Sequence, residues 1–130
     1  MVTDPIADFL TQIRNGVVAG KAEIVAPYSR IKSDIAHILK DEGYIRGAEL
    51  VRTDGKQWLR VELKTGGVRR AIEGIRRISR PGLRRYVGAR EVPRVLGGLG
   101  TAVVSTPKGL MTGSEARKQN VGGELICFVW

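Results

Sequence analysis

At 130 residues the chain is long enough for one conventional core or for two small lobes sharing an interface, and too short for independent large domains. With 42% hydrophobic and 27% charged residues it is neither a disordered nor a fibrous chain, and no apolar run approaches the roughly 20 residues that span a bilayer. Lys plus Arg is 22 against 13 acids, a net charge of +9, which points to a polyanionic partner.

Taken in chain order, Thr3-Asp4-Pro5 offers an N-cap with Pro at or near the first helical position. Ile6, Phe9, Leu10, Ile13 and Val17 follow at helical spacing, and Gly16 with Gly20 closes the segment. Glu23 to Ala26 reads as a short strand halted by Pro27. A second helix starts near Ser29, with Ile31, Ile35, Ile38 and Leu39 on one face and Gly43 as its C-terminal cap. Tyr44 to Val51 and Trp58 to Leu63 flank Asp54-Gly55, a dipeptide that favours a tight hairpin turn. The first half is therefore helix, strand, helix, hairpin.

Gly66-Gly67 marks a change in charge balance, lysine use and periodicity, which places the lobe boundary there and divides the chain into 1–65 and 66–130. Ala71 to Ile78 and Leu83 to Val87 read as strands on either side of an Arg80-Pro81-Gly82 turn, and Val92 to Leu96 as a short helical turn. Thr101 to Ser105 reads as a buried strand. Thr112 with Glu115 fits a capping box for a short helix through Gln119, and Leu125 to Trp130 is the last strand. The expected fold class is α+β: an N-terminal α/β lobe and a mainly β C-terminal lobe with short helices.

Charge divides with the lobes. Residues 1 to 65 hold ten basic and nine acidic side chains, net +1, whereas residues 66 to 130 hold twelve and four, net +8. Ten of those twelve are arginines, whose planar guanidinium grips a phosphate bidentately or stacks on a base. A membrane surface would draw on the same charge, but through a basic amphipathic helix, and these arginines lie in strand-like and turn-like sequence. Arg84 and Arg85 are candidate RNA-binding residues among them.

Enzymatic readings lack partners. His37 is the only histidine and lies mostly off the apolar face of its helix, so neither a triad nor a histidine metal site can be assembled. Gly97, Gly98 and Gly100 lack the spacing of a phosphate loop. Cys127 is the only cysteine, which excludes an intrachain disulfide. Glu73 and Glu91 read as neutralisers of nearby arginines. No cofactor, metal or small-molecule substrate is expected. The start, Met1 to Leu10, has no basic segment followed by an apolar one, so a cytoplasmic protein is expected.

Ser105-Thr106-Pro107-Lys108-Gly109 joins a buried strand to a capped helix. It reads either as an ordered loop offering hydroxyls, an ammonium and backbone to RNA, or as an ordinary turn with a solvated lysine. Tyr86 stacks on a base or is a half-buried strand tyrosine; the local sequence leaves both open. Phe128 and Trp130, on an apolar terminal strand, read as core rather than as stacking platforms.

The run from Gly97 to Thr112, with Glu115-Ala116-Arg117 and Val121 to Trp130, closely resembles the C-terminal signature of the family of bacterial ribosomal small-subunit protein eight. Asp4-Pro5-Ile6-Ala7-Asp8, Arg14-Asn15 and Arg77-Ile78-Ser79-Arg80-Pro81-Gly82 are similar to the same family, so the resemblance covers essentially the whole chain. It implies a non-enzymatic constituent of the small ribosomal subunit that binds the central domain of the small-subunit rRNA and helps assemble the platform, with ribosomal proteins five and twelve as neighbours. It implies RNA contacts from the loop matching Ser105, Thr106, Lys108 and Gly109, aided by Tyr86, Gly122, Gly123 and Glu124, while Arg14 and Asn15 meet a second stretch of RNA. Glu124 is repelled by phosphate, so it accepts a cytosine amino group or ribose hydroxyl, or else holds Lys108 or an arginine in place. The family commonly has serine at Pro107 and aspartate at Gly113. Repression of the protein's own operon through a similar messenger site, or an architectural DNA-binding role, are the alternative functions.

Overall fold

Alternating burial in the first strand and along most of the third builds a sheet with one covered face. The computed structural model describes residues 3–65 and 70–130. Helix α1 (Pro5–Val18) begins at the proline and buries Phe9, Leu10, Ile13, Gly16 and Val17. Strand β1 (Glu23–Pro27) precedes helix α2 (Arg30–Asp41), and β2 (Ile45–Thr53) and β3 (Lys56–Leu63) form the hairpin. The sheet is antiparallel throughout, in the order β1-β3-β2. Ile24, Ala26, Leu59, Val61 and Leu63 are buried on its covered face. Asp54 and Gly55 both take positive φ, 51° and 75°, as the expected tight turn requires.

In α1 and α2 two details differ from the sequence expectation. Gly16 does not close α1: it lies inside the helix, where a Cβ would stand 2.7 Å from Leu63 Cδ1 and 2.9 Å from Ile24 Cγ2, so it sets the approach of helix to sheet. Gly20 alone closes it, at φ 71°, through bonds from Gly20 N to Val17 O and from Lys21 N to Gly16 O; Gly43 ends α2 in the same way. The buried face of α2 is Lys32, Ile35, Ala36 and Leu39, whereas Ile31 is exposed. Lys32, in place of Ile31, lies in line with Ile35, Ala36 and Leu39, and its ammonium is satisfied by the Pro27 carbonyl at 3.1 Å.

The chain falls into two compact units, Ile6–Ile72 and Glu73–Trp130 with Met1–Pro5. The expected boundary at Gly66-Gly67 lies outside the described residues. In the second unit, β8 (Gly123–Val129) pairs along one edge with β6 (Thr101–Thr106), which pairs in turn with β7 (Gly109–Thr112). Its other edge carries β4 (Ile75–Arg77) and β5 (Tyr86–Val87) end to end. The two strands flanking Arg80-Pro81-Gly82 are thus shorter than expected and pair with β8 rather than with each other. Short 3₁₀ segments cover Ala89–Glu91 and Val95–Gly98, the second interrupted by left-handed Leu96 and Gly97, in place of one turn over 92–96. Helix α3 (Gly113–Lys118) starts directly after Thr112, its expected N-cap. Ile78, Val92, Val95, Ala102, Val104 and Leu125 form one core cluster, with Phe128 and Trp130 packed against it, so both aromatics belong to the core.

Candidate nucleic-acid interface

The register of three strands assembles the site. Glu124 on β8 lies opposite Tyr86 on β5 and, on its other side, opposite Ser105 on β6, so the three make one cross-strand row. Directly opposed residues of antiparallel strands share a face. Val104 and Leu125, the next residues along, alternate into the core cluster.

Glu124 is the hub of this row. Its Oε2 accepts from Arg84 Nη1 at 3.0 Å, and its side chain is only 13% exposed against 51% for the arginine. The hydrogen bond to Glu124, and then its charge, push the Arg84 guanidinium pKa up. Of the roles open to this acid, holding an arginine is the one the geometry realises. Tyr86 is 70% exposed, so it is not a half-buried strand tyrosine but presents its ring to solvent.

Close backbone approach explains the neighbouring glycines. A Cβ at Gly123 would fall on the Ser105 carbonyl, and one at Gly122 would fall on the Val87 carbonyl and lie 2.8 Å from Gly88 Cα. Side chains there would push β8 away from β5 and β6 and open the row.

The Ser105–Gly109 segment is a hairpin tip rather than a loop leading into a helix. Ser105 and Thr106 lie in β6, Gly109 opens β7, and only Pro107 and Lys108 lie between them. Strand β7 was not expected. Thr106 is buried; its hydroxyl donates to Gly109 O at 2.8 Å and accepts from Lys108 N at 3.1 Å, so it locks the turn. Pro107 fits the first central position of such a turn, where its fixed φ is favourable and no N–H is needed. Lys108 is exposed at the tip, beside half-buried Ser105.

Two residues not singled out as site residues position this surface. Ser79 is fully buried; its Oγ accepts from Arg85 N at 2.9 Å and donates to Arg85 O at 3.3 Å, which ties the Arg84-Arg85-Tyr86 segment to the end of β4. Arg77 pairs with Asp4 at 3.1 Å and donates to the carbonyl of Ile126, the residue at the irregularity in β8. A lone serine after an isoleucine carries no spacing signal, and an arginine spent on a bulge carbonyl looks in sequence like any other.

Other expectations resolve locally. Thr112 Oγ1 accepts from Glu115 N at 3.1 Å, so the cap exists. The reciprocal half of the box does not: Glu115 Oε1 accepts from Gln119 Nε2 at 2.9 Å instead. Among the described residues Glu91 enters no salt bridge with an arginine; it accepts from Gly88 N at 3.4 Å. His37 is exposed, with Nδ1 2.7 Å from the Ser33 carbonyl. Among the described residues no group of His, Cys, Asp and Glu could hold a metal, and no helix is long and apolar enough to cross a membrane. Arg14 and Asn15 are exposed on α1, in the other unit.

A sheet edge of exposed arginines, one lysine at a hairpin tip, a solvent-facing tyrosine and one acid that aims a guanidinium has the chemistry of a nucleic-acid-binding protein. The family model for ribosomal protein S8 matches residues 4–130. The chain is 57% identical to the small ribosomal subunit protein uS8 of Syntrophomonas wolfei, over all of this chain and 99% of that protein. It is 56% identical to the uS8 protein of Desulforudis audaxviator and 54% identical to that of Thermus aquaticus, over the full length of each. The chain therefore belongs to the ribosomal protein S8 family and is a structural, rRNA-binding constituent of the small ribosomal subunit. An architectural DNA-binding role finds no support in these matches.

Proposed function

We propose that the chain binds the central domain of the small-subunit rRNA directly and helps assemble the platform, next to ribosomal proteins five and twelve. The observation that carries this reading is the Tyr86–Glu124–Ser105 row with Arg84 fixed on Glu124. Arg84, Arg85 and Lys108 supply phosphate contacts, Tyr86 a stacking face, and Ser105 a hydroxyl for a base edge or ribose. Thr106, Gly109, Gly122 and Gly123 keep the strands in register so that these groups face the RNA together. Arg14 and Asn15 meet a second stretch of RNA from α1. Neither unit is assigned catalysis.

Binding to a central-domain rRNA fragment and to random RNA of equal length tests this. Ser105→Ala weakens the central-domain complex selectively, by about 1–3 kcal/mol for a base-edge contact, whereas Arg85→Ala weakens both complexes alike. Equal losses on the two RNAs after Ser105→Ala would reduce the serine to a backbone contact.

A further inference from the structure

The unit spanning Ile6–Ile72 has a concavity of its own, made of residues that no part of the proposed interface uses. Strand β1 ends at Pro27, opposite Trp58 on β3, and the next residue, Tyr28, donates its N–H to the Gln57 carbonyl at 3.1 Å. That pairing brings the two aromatic side chains to the same end of the sheet. Arg52 and Lys56 come to that end from the two arms of the Asp54-Gly55 hairpin. Together with Gln57 these residues line an open cavity of about 670 Å³, a size in the ~300–1,000 Å³ range of small-ligand clefts.

The lining combines two kinds of group. Tyr28 and Trp58 are half-buried, each fixed by the sheet while part of its ring remains accessible. Arg52 and Lys56 are exposed, and neither enters a salt bridge among the described residues. Lys32 adds a third cation behind the rim: it is 8% exposed, with Nζ on the Pro27 carbonyl at 3.1 Å. Asp54, in the turn, is the acid nearest in sequence to Arg52 and Lys56. Two residues beyond Trp58 along β3, Arg60 is surrounded by Glu23, Glu49 and Glu62, so its charge is already balanced and it offers no rival site for an anion.

We infer that this cleft binds one unpaired nucleotide of RNA, its base stacked on Trp58 or Tyr28 and its phosphate held by Arg52 and Lys56. Aromatic rings beside cations match a π-face joined to a phosphate, and every base offers such a face when it is not paired. Gln57 presents both a donor and an acceptor to a base edge. A duplex hides its base faces, and an acidic peptide would use the cations and leave the rings idle.

The intact protein, labelled with ¹⁵N, carries two indole N–H reporters, Trp58 and Trp130, which Trp58→Phe distinguishes. Titration with single-stranded adenylate and uridylate hexaribonucleotides is expected to move the Trp58 signal saturably, more strongly for adenylate, while the Trp130 signal stays in place. Arg52→Ala with Lys56→Ala, both at exposed positions, should weaken that titration by roughly tenfold. Ser105→Ala with Arg84→Ala should leave it unchanged, which separates this site from the proposed interface on the other unit. A Trp58 signal indifferent to the hexamers, or one that responds as strongly to an RNA duplex or to hexaglutamate, would overturn the inference.

Discussion

Ser79 shows how one small side chain governs a surface it does not reach. Its hydroxyl serves both the N–H and the carbonyl of Arg85, and the carbonyl is also held by Leu125 N at 2.9 Å. Ser79→Ala therefore orphans mainly the Arg85 N–H, at a cost of about 1–3 kcal/mol in a urea titration, and faster hydrogen exchange at that amide locates the damage. RNA affinity should fall with it although Ser79 is buried; unchanged exchange at Arg85 would mean that the β5 pairing alone holds the segment. Cys127 offers a second test at this scale. Burial pushes its thiol pKa from 9.0 up to about 12, opposed only in part by the charge of Arg77. A raised folded-state value means that the folded protein keeps its proton where the unfolded chain loses it. The associated stability is complete below about pH 9 and is lost progressively as pH rises toward 12. Alkylation of Cys127 at pH 8 should accordingly wait for unfolding, and Cys127→Ala should flatten the alkaline decline in the unfolding midpoint. Rapid labelling of the native thiol would contradict the burial argument.

At the scale of elements, the readable parts were those whose pattern is local. Proline placement and apolar spacing mark α1, Pro27 marks the end of β1, and Asp54-Gly55 marks the turn between β2 and β3, because each depends on residues within a few positions of one another. What sequence could not show depends on distant partners. Strand β7 is four residues long and opens with a glycine, and only its pairing with β6 makes it a strand. The segments around Arg80-Pro81-Gly82 look like the arms of a hairpin, but β8 claims both. Ile31 fits the periodicity of α2, yet Lys32, with its ammonium on the Pro27 carbonyl, lies in the buried stripe and Ile31 does not. In the candidate interface, the grouping of basic and hydroxyl residues was legible, whereas Glu124 as their organiser required the register of three strands. Helix α3 allows a direct test of a local device. Thr112→Ala should cost about 0.5–2 kcal/mol and release the Glu115 amide to exchange, since that N–H is the one the Thr112 hydroxyl accepts. Glu115→Ala should act less, because its carboxylate reaches forward to Gln119, an i,i+4 pair worth roughly 0.2–0.5 kcal/mol, and not back to the cap. Equal losses in the two variants would restore the reciprocal box.

For the molecule as a whole, the division of charge sets how binding responds to salt. Net +8 lies in residues 66 to 130 against +1 in residues 1 to 65, and the acids of the first half include three gathered around Arg60. Each phosphate neutralised by a cation releases counterions and contributes roughly 0.7 to 0.9 to the slope of log affinity against log salt. Not every arginine of the second half is available for this. Arg77 is spent on Asp4 and the Ile126 carbonyl, and Arg117 donates to the Val92 carbonyl at 3.1 Å. Arg76, Arg80, Arg84, Arg85 and Lys108 are exposed, and of these Arg84 alone is drawn into an ion pair among the described residues. Affinity for the rRNA fragment should fall steeply between low and physiological salt, and Arg85→Ala should lower the slope by nearly one contact. Arg84→Ala should lower it by less, because Glu124 already offsets part of that charge. Glu124→Gln keeps an oxygen to accept from Arg84 but removes the negative charge, so random RNA should bind more tightly while the ratio of central-domain to random affinity falls. If Glu124→Gln instead raised that ratio, the acid would be a liability of the site rather than the group that aims its arginine.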